Sequence, residues 1–94
     1  MVEAGSSAAV GACWVNGRLV EPGTATLRAD DHAVVVGDGV FETMRIVDGA
    51  AFALSRHLRR LDRSASGLGL DEPDEDRIQA AVGEVLAADP SAGL

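Results

Sequence analysis

Residues 40–70 read VFETMRIVDGAAFALSRHLRRLDRSASGLGL, and the stretch holds two periodicities back to back. Val40 to Val47 is β-branched and aromatic-rich, is closed by Asp48-Gly49 and is followed by Ala50 to Leu54. That order predicts a β-hairpin, because a tight two-residue turn needs positive φ and Asp-Gly tolerates it. From Leu54 the period changes: Leu54, Leu58, Leu61, Ala65 and Leu68 are spaced 4-3-4-3, one apolar stripe along a helix. Ser55 is the expected N-cap, and Gly67 and Gly69 mark the helix end.

Downstream, a second helix is expected from about Asp74. Its face is Ile78, Ala81, Val82, Val85 and Leu86, with acidic residues suited to the positive end of its dipole. Gly83 weakens the middle by roughly 1 kcal/mol relative to Ala. Asp89-Pro90 stops the helix, since a residue before Pro avoids helical geometry. Upstream, Asn16-Gly17 between Cys13–Val15 and Arg18–Val20 predicts another hairpin. Glu21-Pro22-Gly23 turns the chain, Thr24 to Leu27 reads as a short extended piece, and Ala33 to Val36 is an apolar run ending at Gly37-Asp38-Gly39. The expected architecture is α+β: two β-hairpins forming an antiparallel sheet, followed by two helices. Residues 1–11 read as a flexible tail and 12–94 as one lobe.

Composition narrows the function. With 94 residues, 47% of them hydrophobic, the chain fits one small globular domain. Trp14, Phe41 and Phe52 are its only aromatic residues, so the core must rely on Val, Leu, Ile and Ala and is marginal at this size. The net charge of −7 opposes nucleic acid and anionic membrane surfaces. One cysteine, Cys13, excludes an internal disulfide and a Cys-based zinc site. Neither a signal peptide nor a transmembrane-length run is visible, which makes a cytoplasmic protein the expectation. All eight basic residues are Arg; without Lys, no side chain here can form a Schiff base.

Three features bear on chemistry. The two glycines of Gly37-Asp38-Gly39 permit close backbone approach to a ligand, or simply a turn into a strand. In the strand that follows, Phe41, Thr43 and Arg45 share one face and Val40, Glu42, Met44 and Ile46 the other. The first face suits either a pocket wall for an anionic ligand, gripped by the Arg fork, or a half-buried strand with Arg45 reaching water. On the helix, His57, Arg60 and Ser64 fall at one edge of the stripe, with Arg56, Arg59 and Arg63 further round. Arg60 is therefore the cation best placed beside a site, where it suits a phosphate oxygen pair. His57 reads as a structural hydrogen-bonder, with no Cys or carboxylate spaced for a catalytic or metal role; His32 beside Asp30 and Asp31 is too local for a metal site.

Taken together, Trp14-Val15-Asn16-Gly17, Asp31-His32-Ala33, Gly37-Asp38-Gly39-Val40-Phe41-Glu42-Thr43, Asp48-Gly49 and His57-Leu58-Arg59-Arg60-Leu61 with Ser64-Ala65 resemble class IV aminotransferases. These are the fold-type IV pyridoxal 5'-phosphate (PLP) enzymes: branched-chain and D-amino acid aminotransferases and aminodeoxychorismate lyase. The resemblance implies that Arg60 binds the PLP phosphate and that Phe41, Thr43 and Arg45 face the substrate. Val36 stands where branched-chain enzymes place a pocket Tyr, and Phe41 where D-amino acid aminotransferase has one; both departures remove a hydroxyl. The Gly-Asp-Gly form is similar to the D-amino acid and lyase branches.

By the same resemblance, the Schiff-base Lys lies in a following, larger C-terminal lobe that is absent from this chain, and the enzymes are commonly homodimers. The implied function is the N-terminal part of a PLP-dependent aminotransferase acting on an amino acid and a 2-oxo acid, not competent alone. Two alternatives stand beside it: lyase chemistry yielding 4-aminobenzoate and pyruvate, and a non-catalytic standalone or relic domain.

Overall fold

A computed structural model of the chain describes residues 11–89. The expected tail at residues 1–11 lies outside them except for Gly11, as do Pro90 and the residues after it.

Strands β1 (Cys13–Val15) and β2 (Arg18–Val20) pair antiparallel, with Trp14 opposite Leu19. Asn16 and Gly17 take φ of 50° and 101°, the double left-handed turn that matches strand twist. Glycine at 17 suits the positive φ, and a Cβ there would lie 2.8 Å from Arg77 Nη2, so that the guanidinium would have to shift. The second hairpin repeats the device. β3 (Ile46–Val47) pairs with β4 (Ala50–Ala51) around Asp48 and Gly49, at φ of 50° and 77°.

The two hairpins form two separate two-stranded sheets, not one sheet. The extended stretch expected over Val40–Val47 is paired only at its end, where the two-residue β4 is followed by one more bond, from the Phe52 N–H to the Arg45 carbonyl at 2.7 Å, before the chain enters the next helix. Side-chain alternation persists without the ladder: Val40, Glu42, Met44 and Ile46 are half-buried, whereas Phe41, Thr43 and Arg45 are exposed. Thr24 to Leu27 is not a strand either; a 3-10 turn at Pro22–Thr24 leads into irregular backbone. The apolar run before Gly37 is a single helical turn, α1 (His32–Val35). Asp31 fixes it by accepting from the Ala33 backbone N–H at 2.9 Å.

Helix α2 (Leu54–Gly67) buries the expected stripe, with Leu58 at 1% and Ala65 at 2% exposure. Its start differs from expectation. Ala53, in the left-handed region at φ 56°, occupies the cap position without a side-chain bond, because β4 runs almost directly into the helix; Ser55 is already exposed in the first turn. At the other end, Gly69 is left-handed, and the Leu70 and Gly69 N–H groups donate to Ala65 and Ser66 carbonyls at 2.9 and 3.1 Å. That is a Schellman stop. Helix α3 (Glu75–Ala88) is capped by Asp74, whose side chain accepts from the Arg77 N–H at 3.1 Å.

The α3 face packs on the first hairpin. Trp14 Nε1 donates to Glu84 Oε2 at 2.9 Å, and the Arg77 guanidinium stands 5.5 Å from the Trp14 ring centre. Between the hairpins, over α3, runs an apolar groove of about 410 Å³ lined by Trp14, Met44, Ile46, Ile78, Val82 and Leu86. Large apolar side chains also stay exposed, Phe41 at 84% among them. Among the described residues the buried apolar side chains are Leu58, Ala65 and Ala81, a small aliphatic core without an aromatic ring.

Candidate functional site

Side-chain chemistry converges where the extended stretch passes the first two turns of α2. Alternation sends Glu42 inward with Val40 and Met44, and its side chain is 9% exposed. A carboxylate on an otherwise apolar face needs cationic or N–H partners. Helix α2 supplies two of them, three residues apart on one face: His57 and Arg60.

Arg60 grips Glu42 through two parallel bonds, Nε to Oε2 at 2.9 Å and Nη2 to Oε1 at 2.8 Å. His57 Nδ1 lies 2.7 Å from the same Oε1. Hydrogen bonds from Arg60 and then from His57 hold the Glu42 carboxyl well below the usual carboxylate range, at about 2. An ionised carboxylate only accepts, so Nδ1 carries the proton in that bond. The 3.4 Å approach of Arg60 Nη2 to His57 Nδ1 is therefore two donors sharing one acceptor, not a hydrogen bond between them. Glu42 in turn raises the already high pKa of the Arg60 guanidinium, which stays charged at any working pH.

The expected site residues are placed as follows. Arg60 sits at the edge of the buried stripe, its side chain 58% exposed, and its bonds to Glu42 run through Nε and Nη2, leaving Nη1 outside the grip. Phe41, Thr43 and Arg45 share the outer, exposed face of the stretch, opposite to Glu42. Val36 is exposed at 56%, just after α1. The residue that reaches Arg60 is thus Glu42, not a member of the outer face.

Sequence reasoning missed this carboxylate as a partner of His57. The pairing spans 15 residues of chain; His57 is a hydrogen-bonder, as expected, and Glu42 is the partner that local spacing did not reveal. The available signal was the acidic residue at an inward register position. Around His32, Asp30 is paired with Arg28 at 2.8 Å and Asp31 caps α1. Among the described residues no helix is long and apolar enough to cross a membrane.

The family model for amino-transferase class IV matches residues 39–93, from the end of the Gly-Asp-Gly turn through α3. The chain belongs to the class IV aminotransferases. Among its relatives, a bifunctional aminodeoxychorismate lyase / D-amino acid transaminase of Mycobacterium tuberculosis is 47% identical over 68 residues, 72% of this chain and 24% of that protein. A D-alanine aminotransferase of Staphylococcus aureus is 38% identical over 58 residues, 62% of this chain and 21% of that protein. A solved structure of a hypothetical aminotransferase from Mycobacterium tuberculosis, in its PLP-bound form, superimposes with a TM-score of 0.70 at 44% identity, covering 77% of this chain and 25% of that one. This class IV chain spans about a quarter of the length of the relatives it matches.

Proposed function

We propose that residues 12–94 are the N-terminal lobe of a PLP-dependent class IV aminotransferase that moves an amino group between an amino acid and a 2-oxo acid. The observation that carries this reading is the Arg60–Glu42 grip lying inside the class IV match. It presents an exposed, permanently charged guanidinium with donors still outside the grip. Those donors fit a phosphate oxygen pair. The residues present fit the phosphate end of the cofactor, and Arg60 is its holder.

When bound, PLP supplies the electron sink that makes proton removal next to the amino group feasible. Arg60 binds and orients it, while Phe41, Thr43, Arg45 and Val36 form one wall of the substrate pocket, with Arg45 as its cation. The sequence contains no Lys, so the amine that engages the cofactor aldehyde comes from residues beyond these 94, and the lobe does not turn over alone. The working enzyme is a cytoplasmic homodimer with small-molecule substrates.

Lyase chemistry is a second reading, favoured because the 47% identical relative carries both activities in its name. Purification of the complete gene product tests the main reading: the expected protein is yellow, with PLP bound, and aminates a 2-oxo acid. Release of pyruvate and 4-aminobenzoate from aminodeoxychorismate with no amino acceptor identifies the lyase instead. A well-folded, colourless product that binds no PLP refutes both.

A further inference from the structure

We propose that Glu42 is a positioning residue for the cofactor phosphate: it grips one edge of Arg60 and so fixes the opposite end of the guanidinium as the phosphate-facing fork. The inference rests on the reading of Arg60 as the phosphate holder and deepens it.

A guanidinium has five N–H donors, on Nε, Nη1 and Nη2. The grip on Glu42 uses Nε and one N–H of Nη2. It leaves the Nη1 pair and the second Nη2 hydrogen, the end-on fork that matches two oxygens of a phosphate. Unheld, a side chain with as many torsions as Arg samples many rotamers, and binding must then order it. The carboxylate itself cannot follow a wandering Arg60. It is nearly buried, and His57 holds Oε1 from the preceding turn of the same helix at 2.7 Å. Its low pKa keeps it an acceptor across the whole neutral range.

Charge and position make opposite predictions here. By Coulomb's law alone, a carboxylate beside the anchor repels a phosphate dianion, so removing it tightens binding. If Glu42 positions the fork, removing it weakens binding.

The experiment uses the apo form of the complete gene product and compares PLP with pyridoxal, which lacks the phosphate, in fluorescence titrations. Glu42→Gln is expected to weaken PLP binding about tenfold, or ~1.4 kcal/mol, the upper range for ordering one long side chain, with pyridoxal affinity unchanged. Glu42→Asp keeps the charge but withdraws the carboxylate by one methylene, and it weakens PLP selectively as well; it stands in should Glu42→Gln not fold. Unchanged or tighter PLP binding in both variants overturns the proposal. Equal loss for PLP and pyridoxal also overturns it, since that marks a role in folding only. Arg60→Met separates this inference from the reading beneath it. A preference for PLP over pyridoxal that survives Arg60→Met removes the anchor and this proposal together. A preference lost in Arg60→Met but intact in both Glu42 variants removes this proposal alone.

Discussion

Replacing Leu58 by Ala tests whether the α2 stripe is the core that carries the site. Leu58 is 1% exposed and is the largest fully buried side chain among the described residues. It sits between His57 and Arg60, so its packing sets the height of both above the extended stretch. A buried Leu→Ala change costs about 2–5 kcal/mol, the lost transfer energy plus a cavity term that shrinks when the surroundings collapse. Here few neighbours are fully buried and an open apolar groove crosses the fold, so collapse is easy and the lower half applies, about 2–3 kcal/mol. For a domain of this size that lowers Tm by roughly 10–20 °C. The assay is urea and thermal unfolding of the 94-residue chain followed by far-UV circular dichroism, with Phe41→Ala as the contrast. Phe41 is the larger apolar residue but is 84% exposed, and its truncation is expected within about 0.5 kcal/mol of the parent. A Leu58→Ala loss below ~1 kcal/mol, or no greater than that of Phe41→Ala, would refute the assignment of the core to the α2 stripe.

Two further outcomes follow from the same geometry. Asp74→Ala removes the side-chain acceptor for the Arg77 N–H and is expected to cost about 1 kcal/mol in the same melts, while Asp74→Asn keeps the cap and most of the stability; equal losses would show that charge, not the hydrogen bond, is the contribution. The Glu42 carboxyl is held at about 2 in the folded chain against an ordinary value near 4.5, so its tether is at full strength above pH 4.5 and is lost as pH falls towards 2. Parent stability should therefore drop across that window more steeply than that of Glu42→Gln, and parallel acid profiles of the two would exclude the tether as a source of stability.

Features with local causes were legible from the sequence. Asn16-Gly17 and Asp48-Gly49 dictate their turns because few dipeptides accept two positive φ values, and both were found with them. Asp74 and the glycines after α2 work the same way, through bonds to backbone a few residues off. The strand ladder was not legible. Alternation over Val40 to Val47 reports which side faces the helix, and that survived; pairing depends on what lies alongside, which alternation does not encode. Ser55 failed as a cap for a related reason: propensity favours Ser there, but the short hairpin delivers the chain to the helix two residues earlier, at Ala53. Arg60 was singled out by helical phase alone, yet its partner required knowing that the stretch before the hairpin folds back over α2's first turns.

The net charge of −7 opposes the phosphate proposed for Arg60. Screening resolves the conflict, because at physiological ionic strength charges separated by more than about 8 Å hardly act through solvent. Much of the acidic excess is gathered in residues 71–76, between the helices. Arg56, Arg59 and Arg63 share α2 with Arg60, all exposed, so the field along that helix is cationic whatever the total. Those three are nevertheless unspecific, since among the described residues no hydrogen bond or ion pair orients their guanidinium groups. Arg60 alone among them is held on two N–H groups by a nearly buried carboxylate. On the proposed reading, the local field draws a phosphate to the helix and the Glu42 grip selects Arg60 as the guanidinium that receives it.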